Sequence, residues 1–360
     1  MINWLSSMEQ TFEYYIVDPI TWKDVRQLDK ITSCSITYDA TAETLGSATI
    51  ETTEQINESY IRIYLISIQN GERDKRPLGT FLAQSPSNSF DGKIKSYSMD
   101  AYTPLLELKE KKPPIGYTIL KENSDSDDKT IMEWAYKLTD ENTRAIVVKA
   151  DNDKKLTTHY TAGADDTWLK FLSDLITNAK YKFALDENGR ILFKPDQKIE
   201  TLQPKWTFTD DNSSILYPDI DVSRDIFGVP NVVEIIYSNA TAQYHKRIVN
   251  DDPNSPTSTV NRGREIIHRI TDPGFTGIPT EEQIDEYART MLKELSTIEY
   301  SITYSHGYCP VNVGDCVMIN YKRSDLNNVK AKIVRQSIKC EPGCPVTEKA
   351  IFTEYLWRPL

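Results

Sequence analysis

The sequence contains no run approaching eighteen consecutive apolar residues, which excludes a membrane-spanning helix. It also lacks any long basic run. Its formal net charge is −11 and its pI about 5.1. Sequence-specific nucleic-acid binding needs clustered Lys and Arg to neutralise phosphates, so that class is excluded. Acidic surface would instead repel a phosphate backbone and keep it from sticking. The opening MINWLSSMEQTFEYYIVDP has no basic segment ahead of an apolar one, so no secretory leader is expected. No GxxxxGK[ST] or GxGxxG loop is present to cradle phosphate, no HExxH pair to hold zinc, and no GxSxG elbow to present a nucleophilic serine. Cysteine is sparse and odd in number, at five, and a reducing compartment leaves such thiols free. Glycine is scarce, at fourteen, against twenty tyrosines, and that balance together with abundant Thr, Ile and Val favours strands.

At 360 residues the chain exceeds one ordinary hydrophobic core, so several domains are expected. Alternation with period two marks strands at Cys34, Ile36 and Tyr38, at Ala48 and Ile50, and through YIRIYLISIQ (60–69). Asp91-Gly92 is a hairpin signal between two further strands. Residues 28–112 thus predict a small antiparallel barrel, preceded by an N-terminal segment, 1–27. KEKKPP (109–114) then interrupts regular structure. Ile131, Trp134, Ala135 and Leu138 recur at helical spacing, as do Trp168, Leu169, Leu172, Leu175 and Ile176. Asn188-Gly189 then turns a hairpin between Tyr181, Phe183 and Leu185 on one side and Ile191 and Phe193 on the other. Residues 113–225 therefore predict an α+β insert. Strands resume at NVVEIIYSN (231–239). Pro279 and Thr280 start a helix through 297, and 226–360 predict a second barrel with that helix attached. The fold class expected is mainly β with an α+β insert: two antiparallel β-barrels flanking a helix-plus-hairpin domain.

Three patches carry a resemblance. Pro77-Leu78-Gly79-Thr80-Phe81 with Asp100-Ala101-Tyr102, inside 77–119, is one. FGVPNVVEI (227–235) and CPVNVGDCVMI (309–319) are the others. They resemble the strands of baseplate hub proteins from contractile phage tails, defective prophages and phage-tail-like bacteriocin particles. Over 28–360 the order of elements is similar as well. The resemblance implies two tail-tube-like barrels per chain and a homotrimer that presents six near-equivalent units. Such a ring joins the hexameric tail tube to the trimeric central spike. It implies as partners the tail tube protein, the spike protein, baseplate wedge proteins and the tape measure protein. It places the chain in the virion or tail-like particle, assembled in the bacterial cytoplasm, and makes it no enzyme. The distal-tail or tail-tip protein of a non-contractile tail is the related alternative. A tail-associated cell-wall hydrolase or a carbohydrate-binding module is the alternative of another class.

Residue by residue, no catalytic, cofactor-binding or metal site is assigned. Cys309, Cys316, Cys340 and Cys344 offer four thiols, but the x6 and x3 spacings depart from paired zinc knuckles, and CEPGC (340–344) reads as a turn. His159, His245, His268 and His306 stand apart from one another. Asp165-Asp166 and Asp210-Asp211 are carboxylate pairs of the kind a glycosidase uses, yet their contexts read as helix cap and turn. Trp4, Tyr14, Tyr15 and Trp22 form a sugar-stacking patch or a packing segment, the second being favoured. Loop 251–263 and the acidic stretch 123–128 read as solvated surface.

Overall fold

The computed structural model describes residues 2–121, 129–212, 214–238, 243–271, 273, 275 and 278–357, apart from the side chains of residues 85 and 86. Contacts gather the chain into two compact units, Met1–Asp219 with Tyr304–Lys349, and Ile220–Thr303 with Ala350–Leu360.

In the first unit the chain lays down β1 (Glu9–Val17), β2 (Asp24–Gln27), β3 (Ile31–Asp39), β4 (Gly46–Thr52), β5 (Ser59–Gln69), β6 (Glu72–Phe90) and β7 (Lys95–Tyr102). They pair antiparallel in the order β3-β4-β7-β6-β5-β1-β2. Ile36, Ile50, Ile61, Ile63, Leu65, Phe81 and Met99 fill one core on this sheet. β5 is buried along most of its length, and that is why its sequence is almost continuously apolar. Residues 9–27 add β1, paired along its length with β5, and the edge strand β2.

After β7 come α1 (Leu105–Glu110), β8 (Thr118–Ile119), α2 (Ile131–Asn142), β9 (Tyr160–Thr161), α3 (Trp168–Thr177), β10 (Tyr181–Leu185) and β11 (Ile191–Pro195). Helix α2 begins on a capping box in which Thr130 and Glu133 each accept the other's backbone N–H. Thr167 caps α3. Both predicted helices and the predicted β10-β11 hairpin are present. Their apolar faces share a second core in which Trp134, Leu138, Phe171, Leu172 and Ile176 meet Val17, Trp22, Tyr60 and Leu82 of the sheet.

This insert is keyed to the sheet by polar contacts at two points. The Asn188 carbonyl, in the β10-β11 turn, accepts from Trp22 Nε1 at 2.9 Å and from Thr80 Oγ1 at 2.9 Å. The buried Arg62 guanidinium lies over the same turn, donating to Asp24 at 2.9 Å and to Thr80 Oγ1 at 2.9 Å. At the second point Glu107 of α1 accepts from the Arg144 backbone at 2.7 Å and pairs with its guanidinium. Burial raises the Glu107 carboxyl, but the Arg144 contacts and the Tyr60 hydroxyl outweigh it and hold the group below its usual range.

The remaining strands are β12 (Pro204–Thr209), β13 (Leu216–Arg224), β14 (Val232–Ser238) and β15 (Gln243–Val249), followed by α4 (Thr259–Arg262), β16 (Ile267–Ile270) and α5 (Glu281–Leu295). The chain ends through β17 (Thr297–Gly307), β18 (Cys316–Tyr321), β19 (Leu326–Lys339) and β20 (Pro345–Tyr355). β19 pairs with β3, β18 pairs with β19, and β12 runs parallel to β18. The path of paired strands ends at β2 on one side and β13 on the other and does not return on itself. Among the described residues the β units are thus open sheets, not the closed barrels expected. Pairing demands satisfied edges only where they are buried, and both terminal strands are largely exposed.

In the second unit β14 pairs with β15 and β16, and α5 packs its buried Ile284, Ala288 and Leu292 on Val233, Ile235 and Ile248. Loop 251–263 is not simply solvated. Ser255, Thr257 and Ser258 are buried, because Asn231 donates to the Thr257 and Arg264 carbonyls and Asn250 donates to Ser255. Backbone polar groups in a loop can be buried when amide side chains satisfy them.

Candidate functional site

A dense buried polar cluster lies in the first unit, where β17, β19 and β20 present buried groups to one another. Glu348 accepts from the Tyr304 hydroxyl at 2.5 Å and from Gln336 Nε2 at 2.7 Å. His306 Nε2 stands 3.5 Å from the same carboxylate, and its Nδ1 lies 2.6 Å from the Gly307 carbonyl. Gln336 also donates to the Val311 carbonyl at 2.9 Å. Phe208 covers the imidazole with a ring separation of 4.7 Å. The alternation of strands explains the convergence, since Tyr304 with His306, and Val346 with Glu348, point to the same face two residues apart. The side chains of His306 and Glu348 are wholly buried. Burial, reinforced by the neighbouring carboxylate, pushes the Tyr304 hydroxyl well above its ordinary range. The cluster is polar but closed off from solvent, and its hydrogen bonds tie β17, β19 and β20 to one another.

The other weighed residues disperse. His159 Nδ1 accepts the Lys121 backbone N–H at 3.1 Å, His245 lies on β15 and His268 on β16. Asp166 accepts from the Gly163 backbone at 2.7 Å ahead of α3, and Asp210 accepts from the distant Lys322 backbone at 3.2 Å. Trp22 and Tyr14 are buried; Trp4 packs edge-on against Tyr308 with ring centroids 5.2 Å apart, and Tyr15 packs on Tyr64 beneath the Lys75 ammonium. These aromatics form core and edge packing, not an open platform. The stretch 123–128 lies outside the described residues.

The thiols divide into separate places. Cys309 is buried with its sulfur 3.9 Å from His306 Nδ1, and burial pushes it far above the usual thiol range. Cys316 is buried on β18. Cys340 and Cys344 bound the CEPGC turn, closed by the Cys344 N–H donating to the Glu341 carbonyl at 2.8 Å. All five cysteines are free thiols, and among the described residues no three His, Cys, Asp or Glu side chains converge in a metal-binding group.

Sequence spacing gave no sign of one pair. Cys34 and Cys340 face each other across β3 and the end of β19, where the Cys340 N–H donates to the Cys34 carbonyl at 3.0 Å. Opposed residues of such a hydrogen-bonded pair hold their Cα atoms about 5.5 Å apart, within the range a disulfide spans. Brief treatment with diamide is expected to join Cys34 to Cys340, seen as a linked peptide pair on non-reducing mass mapping. A Cys34→Ser chain should show no such product, and a linked Cys309–Cys316 peptide in its place would contradict the assignment.

No protein-family profile matches the chain, and no curated protein matches it by sequence. Solved structures do match by fold. A tail protein from Neisseria meningitidis MC58 aligns with a TM-score of 0.58 at 11% identity, covering 95% of this chain and 96% of its own. The 43 kDa tail protein of prophage MuSo2 from Shewanella oneidensis gives 0.57 at 11% identity, covering 95% and 98%. An Escherichia coli component of the type VI secretion system, itself described as structurally similar to the T4 bacteriophage tail proteins gp27 and gp5, gives 0.50 at 10% identity, covering 94% and 79%. Identities this low speak for fold, and the likeness runs almost end to end. The chain thus has the mainly β fold of phage tail proteins, shared with a type VI secretion component, in line with the hub resemblance of its strand sequences.

Proposed function

We propose that this chain is a structural, non-enzymatic baseplate hub. Three copies form a ring with pseudo-sixfold symmetry that joins the hexameric tail tube to the trimeric central spike, within a virion or tail-like particle. Its neighbours in that assembly are the tube and spike proteins, with wedge components outside and the tape measure protein within the tube. The observation that carries this reading is fold likeness to two phage tail proteins over 95% of the chain. The burial of the Glu348–Tyr304–His306 cluster also fits a chain whose chemistry is assembly rather than turnover. Cryo-electron microscopy of purified tail particles tests it by copy number and position. Three copies in a ring between tube and spike are expected. Six copies, or a place on peripheral fibres, would overturn the hub and favour the distal-tail or host-binding alternative.

A further inference from the structure

The chain is acidic overall, yet one face gathers lysines. β10 and β11 place Lys182 directly opposite Lys194, an arrangement that is unfavourable for like charges on a sheet. The loop that follows β11 is held against this spot, because the Asp196 N–H donates to the Lys180 carbonyl at 2.9 Å. From β19, Lys332 donates to the Gln197 carbonyl at 3.3 Å and Lys330 to the Glu200 carbonyl at 2.8 Å. Lys198 lies within the same loop. Six lysines, 180, 182, 194, 198, 330 and 332, therefore surround a segment whose carboxylates are Asp196 and Glu200. Asp196 is already engaged by Lys182 at 2.9 Å. Partial burial and the nearby Lys182 ammonium together hold Lys332 below the ordinary lysine value, so the cations feel one another. The face is also fixed: β19 lies within the large paired sheet, and Phe183 and Phe193 anchor the two-stranded β10-β11 hairpin in the core.

A complementary feature occurs elsewhere on the same chain. β13 is a terminal strand of the paired path, and most of its residues are exposed. Asp219 and Asp221 stand two residues apart on it, hence on one face. Among the described residues neither carboxylate enters an ion pair. An exposed sheet edge with an unpaired acidic face is a docking template of defined charge.

We propose that the lysine face around loop 195–201 docks on the acidic strand β13 of a second copy of this chain, head to tail. A contact that uses two different surfaces of one chain is heterologous, and such contacts close into rings when the rotation allows. The inference rests on the ring reading above and names the surfaces that build it. The Lys182–Lys194 repulsion, unfavourable in the isolated chain, is relieved when carboxylates of the neighbour arrive. A second copy is the favoured occupant because the complement is present on the chain itself, whereas nucleic-acid binding by single strands or duplex lacks the arginines and exposed aromatics that such sites use on this face.

Sedimentation of the full chain across concentration, in low and high salt, tests this. Self-association is expected to weaken about tenfold or more between 50 and 500 mM NaCl, as screened charge pairs do. Lys182→Glu with Lys194→Glu should weaken it at low salt, and so should Asp219→Lys with Asp221→Lys. All four changes in one chain should restore it. The neutral pair Lys182→Ser with Lys194→Ser gives an intermediate loss and serves if the reversals disturb folding, which circular dichroism monitors. A ring indifferent to salt and to both reversals would overturn the lysine–β13 contact while leaving the hub reading intact. A chain monomeric at every concentration would overturn the contact too, and the copy number in tail particles would still decide the hub separately. Tight binding of a duplex DNA oligonucleotide to this face, lost in Lys182→Glu with Lys194→Glu, without self-association would assign it to nucleic acid instead.

Discussion

Replacing Glu348 by alanine is expected to cost about 3–5 kcal/mol in chemical denaturation, the range for removing one member of a buried charged cluster. The reason is what the carboxylate leaves behind. It accepts from Tyr304 at 2.5 Å and Gln336 at 2.7 Å and faces His306 at 3.5 Å, all without solvent. Gln336 keeps its second acceptor, the Val311 carbonyl, but Tyr304 has no other partner in the cluster; His306 Nε2 makes no hydrogen bond even with Glu348 in place and loses only the carboxylate standing 3.5 Å away. Each stranded group carries a desolvation penalty of about 1–3 kcal/mol. Glu348→Gln preserves shape and one acceptor and should lose roughly half as much or less. Tyr304→Phe, which removes the donor rather than the shared acceptor, should cost about 1–2 kcal/mol. A Glu348→Ala loss below about 1 kcal/mol would mean that the cluster contributes no net stability and that apolar packing by Phe208 and Tyr304 holds the strands alone. The change removes no exposed charge, so ring formation by protein that remains folded should be unaffected.

How far the sequence led can be judged from particular elements. Helical spacing of Trp168, Leu172 and Ile176, and of Ile131 and Trp134, was enough to place α3 and α2, because those helices bury one stripe and expose the rest. The β10-β11 hairpin announced itself through Asn188-Gly189. The edge strands did not. β2 and β13 have few buried positions, so no alternation of apolar and polar residues marks them, and their pairing comes from distant strands. α1 was hidden inside an apolar stretch that reads equally as strand, since Leu105, Leu106 and Leu108 are all buried. The barrel expectation failed at closure for a related reason: periodicity fixes which face of a strand is buried but not which edge meets which. The buried polar groups were the least visible. Arg62 sits in YIRIYLISIQ as an apparent polar interruption, and its partners, Asp24, Thr80 and the Asn188 carbonyl of a hairpin more than a hundred residues later, come to it only on folding. His306 and Glu348 are likewise ordinary in sequence and become a cluster only through β17 and β20.

That long-range keying of the insert leads to the second large effect, at Gly189. Its backbone has φ +73°, a left-handed conformation that side chains resist. A Cβ there would meet Thr80 Cβ at 2.7 Å and the Thr80 carbonyl oxygen at 3.3 Å. Unlike a glycine in an open turn such as Gly92, where nothing lies within 4 Å, this one has both the wrong backbone and no room. Gly189→Ala should therefore lose the left-handed preference, about 1–2 kcal/mol, and add an overpacking cost of about 1–3 kcal/mol. Gly92→Ala, sharing only the backbone cost, should lose no more than about 1–2 kcal/mol and serves as the control. The difference reports on docking, because Thr80 also donates to the Asn188 carbonyl and accepts from Arg62. When the turn shifts, Trp22, Thr80 and Arg62 lose a shared acceptor together. Hydrogen exchange should register this as faster exchange in the hairpin and along β5 near Arg62, with β14 and β15 of the other unit unchanged. Equal losses for the two glycine variants would mean that the turn relaxes away from Thr80 at no cost, and that the insert is held by its apolar core rather than by this key.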